Sequence, residues 1–158
     1  MPASNAPAVT DEVRIGAPAE AVYALITDLP TLAELAEETT SMQWTRGDAA
    51  RAGAVFRGAN RSGSHTWTTT CTVTTANPGV AFAWDVTSGP VKIAHWRYEV
   101  AESDGGCHVT ESMWDYRPWW LKRIAYRLTG VADRDAANTE HIRLTLQRLK
   151  DRAEATAS

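Results

Sequence analysis

Apolar and polar residues alternate along much of the chain, which is the pattern of half-buried β-strands. A first strand is predicted over residues 9–15, a short helix beginning near Pro18 follows, and a second short helix is predicted over residues 31–38. Six further strands are bounded by turns rich in glycine, asparagine, proline and serine. They are predicted at residues 42–44, 55–60, 65–75, 80–87, 91–101 and 107–116.

The remainder of the chain is predicted to be helical, over residues 119–128 and, after Gly130, over residues 131–155. Strands joined by short turns form an antiparallel meander, and a long helix then packs across one face of the sheet. The sequence therefore predicts an α+β fold. It consists of a curved antiparallel seven-stranded sheet around a long C-terminal helix, with two short helices after strand 1. We expect one domain over residues 9–155, with residues 1–8 and 156–158 as flexible tails.

Length and charge exclude several classes of protein. A chain of 158 residues fits one domain and can bury a core without disulfides. The net charge of -3 gives no basic field for nucleic acid. Cys71 and Cys107 form no CxxC pattern, and no apolar run reaches the ~20 residues that span a membrane. The first eight residues lack the apolar core of a signal peptide, so we expect none. These features predict a cytoplasmic protein without an integral membrane segment.

Six local stretches carry a family resemblance: residues 17–23, 56–61, 77–79, 96–100, 106–112 and 145–150. With these stretches the chain resembles the START-like, or SRPBCC, superfamily of polyketide cyclases/dehydrases and lipid transport proteins, and most closely its small actinobacterial members. The resemblance covers nearly the whole chain and implies the helix-grip fold. That family includes lipid carriers, hormone receptors and aromatase/cyclases and has no shared catalytic motif, so the resemblance specifies fold rather than function.

Strand alternation predicts which side chains face the long helix across a cavity. The chain has seven tryptophans and only two phenylalanines, which suits flat cavity walls, although an ordinary core would look the same. An apolar cavity with a few polar groups is typical of a small-molecule site. The predicted ligand-binding residues are Phe56, Asn60, Trp67, Thr69, Trp84, Trp96, Tyr98, Glu111, Met113, Asp135, Asn138 and Ile142.

Glu111 is the candidate acid or base, with Tyr98 beside it. A carboxyl group facing an apolar cavity has a raised pKa and can transfer protons. The alternatives are a salt bridge to an arginine, or exposure to solvent if the strand register is shifted by one residue. Asp135 and Asn138 line the cavity or lie on the surface of a frayed helix start.

No metal or cofactor is predicted. The histidines have no HxxxH spacing, and His95 and His108 fall on the outer strand faces. Cys71 and Cys107 are interpreted as small core or wall residues rather than nucleophiles.

The adjacent Trp119 and Trp120 stand beside Lys122, Arg123 and Arg127. They could gate the cavity mouth, pack in the interior, or make a peripheral contact with a membrane or a partner protein.

Three functions remain open from the sequence. The first is binding or transport of a small hydrophobic molecule, either lipid-like or polycyclic aromatic. The second is a polyketide aromatase/cyclase or dehydratase, because a shaped cavity supplies orientation and Glu111 with Tyr98 supplies proton transfer. The third is a regulatory protein-interaction module that uses Trp119 and Trp120. The sequence leaves undecided whether the protein is an enzyme.

Overall fold

The computed structural model describes residues 6–118, 120–121 and 134–157, with the side chains of residues 134, 135 and 157 excepted. Seven antiparallel strands form one sheet in the order β1-β7-β6-β5-β4-β3-β2. The strands are β1 (Val9–Ile15), β2 (Thr39–Arg46), β3 (Val55–Ser62), β4 (His65–Asn77), β5 (Ala81–Ser88), β6 (Val91–Ser103) and β7 (Gly106–Asp115). The helices are α1 (Ala19–Thr27), α2 (Leu29–Leu35) and α3 (Arg134–Ala157).

Within the described residues the predicted order of elements is confirmed, and the largest differences in bounds concern α2 and β2. Helix α2 begins at Leu29 because the Asp28 side chain caps it, accepting hydrogen bonds from the backbone N–H and hydroxyl of Thr31. Pro30 lies in the first turn, where its missing N–H leaves no bond unmade. The chain becomes extended at Ala36, so the predicted helical residues 36–38 instead lead into β2.

The sheet is bent by register shifts within its central strands. One residue is inserted between Val73 and Thr75 of β4, and another irregularity separates Val86 from Thr87 of β5. Such bulges increase the local twist and curve a sheet. The concave side faces α1, α2 and α3 and carries most of the buried residues.

The C-terminal half of α3 closes the core. Ile142, Leu146, Leu149 and Ala153 recur at helical spacing and are buried in the hydrophobic cluster. Polar contacts fix α2 to this part of the helix. Arg148 donates to the carbonyl of Leu35 at 3.2 Å and pairs with Glu37 at 2.7 Å.

The predicted helix over residues 119–128 lies outside the described residues except for 120 and 121. Residues 131–133 at the predicted start of the long helix are also outside them. In the part of the chain that the structure describes, no helix has both the length and the apolar character needed to cross a membrane.

Candidate functional site

A cavity of about 460 Å³ lies between the concave face of the sheet, α2 and the N-terminal half of α3. Asn138, His141, Ile142 and Thr145 of α3 line it, and Thr145 is the last helical residue that does so. Beyond this point the helix rests directly on the core. The helix and the sheet therefore diverge toward the N-terminal end of α3.

Aromatic rings form the wall on the sheet side. Trp84 of β5 stands opposite Trp96 of β6, and the Trp84 and Tyr98 rings are stacked with centroids 5.9 Å apart. Trp67 of β4 and Met113 of β7 extend this wall on either side. The rows of the antiparallel ladder place these side chains on one face, which gives a broad and largely apolar surface.

Phe56 does not line the cavity. It is fully buried and makes edge-to-face contacts with Trp44 and Trp84, with ring centroids 5.6 Å apart in each pair. Its place in the lining is taken by Gly58, two residues further along the same face of β3. A Cβ at Gly58 would approach the Thr69 hydroxyl to 2.9 Å, so a side chain would crowd this part of the cavity. Phe56 therefore supports Trp84 instead of facing a ligand.

Glu111 of β7 is buried at the cavity wall, with 3% of its surface exposed. It stands opposite Tyr98 on β6 and Asp11 on β1. Its Oε1 atom is buried and has no hydrogen-bond partner among the described residues. The described residues therefore show neither of the two alternatives for Glu111, which were a salt bridge to an arginine and exposure to solvent.

Burial shifts the proton equilibria of Glu111 and Tyr98. The pKa of Glu111 is raised to about 8: desolvation is the largest cause, a hydrogen bond with Tyr98 opposes the shift, and the negative charge of Asp11 adds to it. Burial also raises the pKa of the Tyr98 hydroxyl well above its usual value, with Glu111 adding to the effect. Glu111 is consequently a neutral acid near pH 7, and Tyr98 stays protonated.

The remaining polar groups stand around the aromatic wall. The Asn60 amide bridges two strands, since its Oδ1 accepts from Thr39 at 3.2 Å and its Nδ2 donates to Thr69 at 3.4 Å. Asn138 is buried on α3 and lines the cavity. The side chain of Asp135 lies outside the described residues.

Trp120, which is 48% exposed, and Leu121 also line the cavity. Arg117 also lines this region and is held by Asp115, to which its Nε and Nη2 donate at 3.0 and 2.8 Å. Trp119, Lys122, Arg123 and Arg127 lie outside the described residues.

Several lining residues were missed by sequence reasoning. The alternation pattern gives the inner face of each strand, but it does not give the path of the segment between α2 and β2 or the reach of charged side chains at strand ends. The missed residues include Leu32, Glu38, Met42, Ile93, Arg117 and His141.

The cysteines and histidines form no reactive cluster. Cys71 lines the cavity, but burial raises the pKa of its thiol to about 12, and burial also raises the pKa of Cys107. These thiols are therefore protonated and weakly nucleophilic. Within residues 6–118, 120–121 and 134–157, no three His, Cys, Asp or Glu side chains are grouped as metal ligands.

Solved structures share this architecture. A polyketide-cyclase-like protein of Corynebacterium glutamicum is 26% identical with a TM-score of 0.63, and the match covers 93% of this chain and 91% of that one. A Deinococcus radiodurans protein is 23% identical with a TM-score of 0.67, covering 94% and 97%. The predicted helix-grip fold is thereby confirmed.

The chain is also similar to a larger protein, the di-domain ARO/CYC BexL from the BE-7585A biosynthetic pathway. The identity is 25% and the TM-score 0.68, with 92% of this chain covered but only 49% of that one. No curated protein matches the chain significantly. The family model described as polyketide cyclase / dehydrase and lipid transport matches residues 6–154, and the chain belongs to this family.

Proposed function

We propose that the protein binds a small hydrophobic molecule, polycyclic aromatic or lipid-like, in the cavity between the sheet and α3. The observation that carries this proposal is the aromatic wall of a cavity of about 460 Å³, whose size falls within the range that holds drug-sized ligands. The family description, which joins polyketide cyclases to lipid transport, supports the same class of ligand.

The wall favours a flat ligand. The planes of Trp84 and Tyr98 are 29° apart, and Trp96 stands beside Trp84 in the next strand. Ring faces arranged in this way offer stacking to a planar molecule in addition to the burial of its apolar area. Asn60 and Asn138 supply amide groups that can fix the orientation of such a molecule.

The first test is a fluorescence titration with 1-pyrenemethanol as the probe. We expect Trp67→Ala and Asn138→Ala to weaken binding at least tenfold, because each removes part of the lining. Trp114→Ala is the matched control: Trp114 is a half-buried tryptophan on the opposite face of β7, outside the lining residues. Unchanged affinity in both lining variants would contradict the proposal. Native mass spectrometry of freshly purified protein then reports the mass of any natural ligand.

Glu111 supports a second candidate function, the aromatase/cyclase or dehydratase reaction. It is a buried neutral acid whose Oε1 has no partner among the described residues, and it faces the cavity where a reactive chain would lie. A carboxyl group in this state can donate a proton to a ligand carbonyl or to a departing hydroxyl. Tyr98 is its neighbour and holds it by a hydrogen bond.

Catalysis is tested with a linear poly-β-keto thioester as the substrate. We expect Glu111→Gln to lower the rate of product formation at least tenfold while the substrate still binds, because the amide cannot transfer a proton. The wild-type rate should fall above about pH 8, where the carboxyl ionises. A rate and pH profile unaffected by the substitution would leave the cavity as a binding site without acid catalysis.

A regulatory contact through Trp119 and Trp120 stays a prediction. Trp120 is exposed and lines the cavity, so its ring is also suited to gating it.

A further inference from the structure

Charge is unevenly distributed around the cavity. Among the described lining residues four are acidic, and Arg117 is the one permanently charged base. Three of the four acids have a basic neighbour. Glu37 pairs with Arg148 at 2.7 Å, Glu38 lies 3.6 Å from His141, and Asp115 holds Arg117 through two hydrogen bonds.

Glu111 is the fourth acid, and no basic partner is found for it within the described part of the chain. Its buried Oε1 accepts no hydrogen bond there either. The Glu111 side chain lines the cavity, so the group that a bound molecule presents to its carboxyl is a hydrogen-bond donor, or an acceptor for the proton of the neutral acid.

The surroundings of Glu111 favour a positively charged donor. Asp11 on β1 adds a second negative charge beside it. The faces of tryptophan and tyrosine attract cations, and Trp84, Trp96 and Tyr98 line the same cavity. A ligand with a carboxylate group is disfavoured by the same negative charges. The guanidinium of Arg117 is not available to bind it, because it already donates to Asp115.

We infer that the molecule bound in this cavity carries a protonated amine on its hydrophobic ring system, and that Glu111 is the counter-ion of that amine. The inference rests on the proposed function and specifies its ligand class: a hydrophobic amine, in preference to the matched alcohol or carboxylic acid. The ammonium N–H groups donate to the carboxylate of Glu111, and the rings lie against the tryptophans.

Binding of the amine requires Glu111 to release its proton to solvent. Because the pKa of Glu111 is about 8, releasing the proton at pH 7 lowers the affinity for the amine about tenfold. A charge-assisted hydrogen bond between the ammonium and the carboxylate raises the affinity by more than this. The charged and titratable groups that act on this carboxyl are Tyr98 from β6 and Asp11 from β1, with Arg143 of α3 acting on Asp11. The affinity for an amine should therefore rise with pH up to about pH 8, while that for an alcohol should not.

The experiment compares three probes of the same ring size: 1-pyrenemethylamine, 1-pyrenemethanol and 1-pyrenecarboxylate. At pH 8 we expect the amine to bind at least tenfold more tightly than the alcohol, and the carboxylate most weakly. Between pH 6 and pH 7 the affinity for the amine should rise about tenfold, because one proton is released on binding. Glu111→Gln should abolish the amine preference, so that this variant binds the amine and the alcohol with affinities within threefold of each other.

Glu99→Gln is the matched control, since it removes an exposed carboxylate from the outer face of β6. It should leave all three affinities unchanged. Binding of the alcohol as tightly as the amine at pH 8, or an amine preference that persists in Glu111→Gln, would overturn the inference and leave the proposed function standing. Failure of all three probes to bind would overturn both.

Discussion

Glu111 couples the stability of the fold to pH. Below its ordinary pKa of 4.5 the carboxyl is protonated in both the folded and the unfolded chain, so its titration does not change the stability there. Between pH 4.5 and about 8 the unfolded chain releases this proton and the folded protein retains it. Rising pH therefore favours the unfolded state across this window, and the loss is complete above about pH 8.

Glu111→Gln isolates this effect, because the amide has the same shape and does not titrate. We expect the free energy of unfolding of the variant, relative to wild type, to increase by roughly 2–4 kcal/mol between pH 5 and pH 8. Urea denaturation followed by tryptophan fluorescence at several pH values measures it. Glu99→Gln should show no comparable trend, and parallel pH curves for Glu111→Gln and wild type would contradict the explanation.

Individual side chains show where strand alternation predicts the position of a residue correctly and where it does not. It placed Trp67, Cys71 and Glu111 on the inner face, and the structure has them there. It also placed Phe56 on the inner face. A position on that face does not show whether another ring lies between the side chain and the cavity. His95 was expected on the outer face; it lies there half-buried, with its Nδ1 2.8 Å from Asp85 and its ring against Trp114.

At the scale of elements, α3 has two roles along its length. Residues up to Thr145 border the cavity, whereas Leu146, Leu149 and Ala153 are buried in the core. The two roles follow from one apolar stripe, which carries polar residues such as Asn138 only where the helix leaves the sheet.

This division can be measured by comparing two alanine substitutions on α3. Leu149→Ala should lower the free energy of unfolding by about 2–5 kcal/mol, as expected for a buried leucine, and leave the affinity for 1-pyrenemethanol within twofold. Asn138→Ala should weaken binding and cost less stability. Chemical denaturation and fluorescence titration give the two values. A loss of affinity in Leu149→Ala equal to that in Asn138→Ala would show that the two halves are not separate.

The segment between α2 and β2 was the weakest part of the sequence prediction. Helical spacing continues past Leu35, so nothing in the local pattern marks where the helix ends. The structure fixes that end through distant partners, with Arg148 binding the Leu35 carbonyl and pairing with Glu37. Such contacts are made by residues more than a hundred positions away, and a local pattern contains no information about them.

For the whole molecule, the order of strands and helices followed from the sequence because turns and alternation are local signals. The sequence also indicated roughly where a cavity would lie, since apolar faces with polar interruptions mark the places where the helix and the sheet separate. Part of its lining could not be predicted, because Glu38, Arg117 and His141 come from three separate segments whose meeting depends on the curvature of the sheet. The bulges in β4 and β6 that help to set this curvature leave no clear mark in the sequence.

The position of β1 has a consequence for how the protein folds. The strands from β2 to β7 pair with their neighbours in chain order, whereas β1 pairs with β7, where Thr10 and Ser112 contact each other across 102 positions of sequence. Closing such a long loop is entropically costly before its contacts form, so we expect the meander to assemble first and β1 to dock late. Asp11 lies on β1, opposite Glu111 of β7. The acid in the cavity thus acquires its charged neighbour only in the last stage of folding.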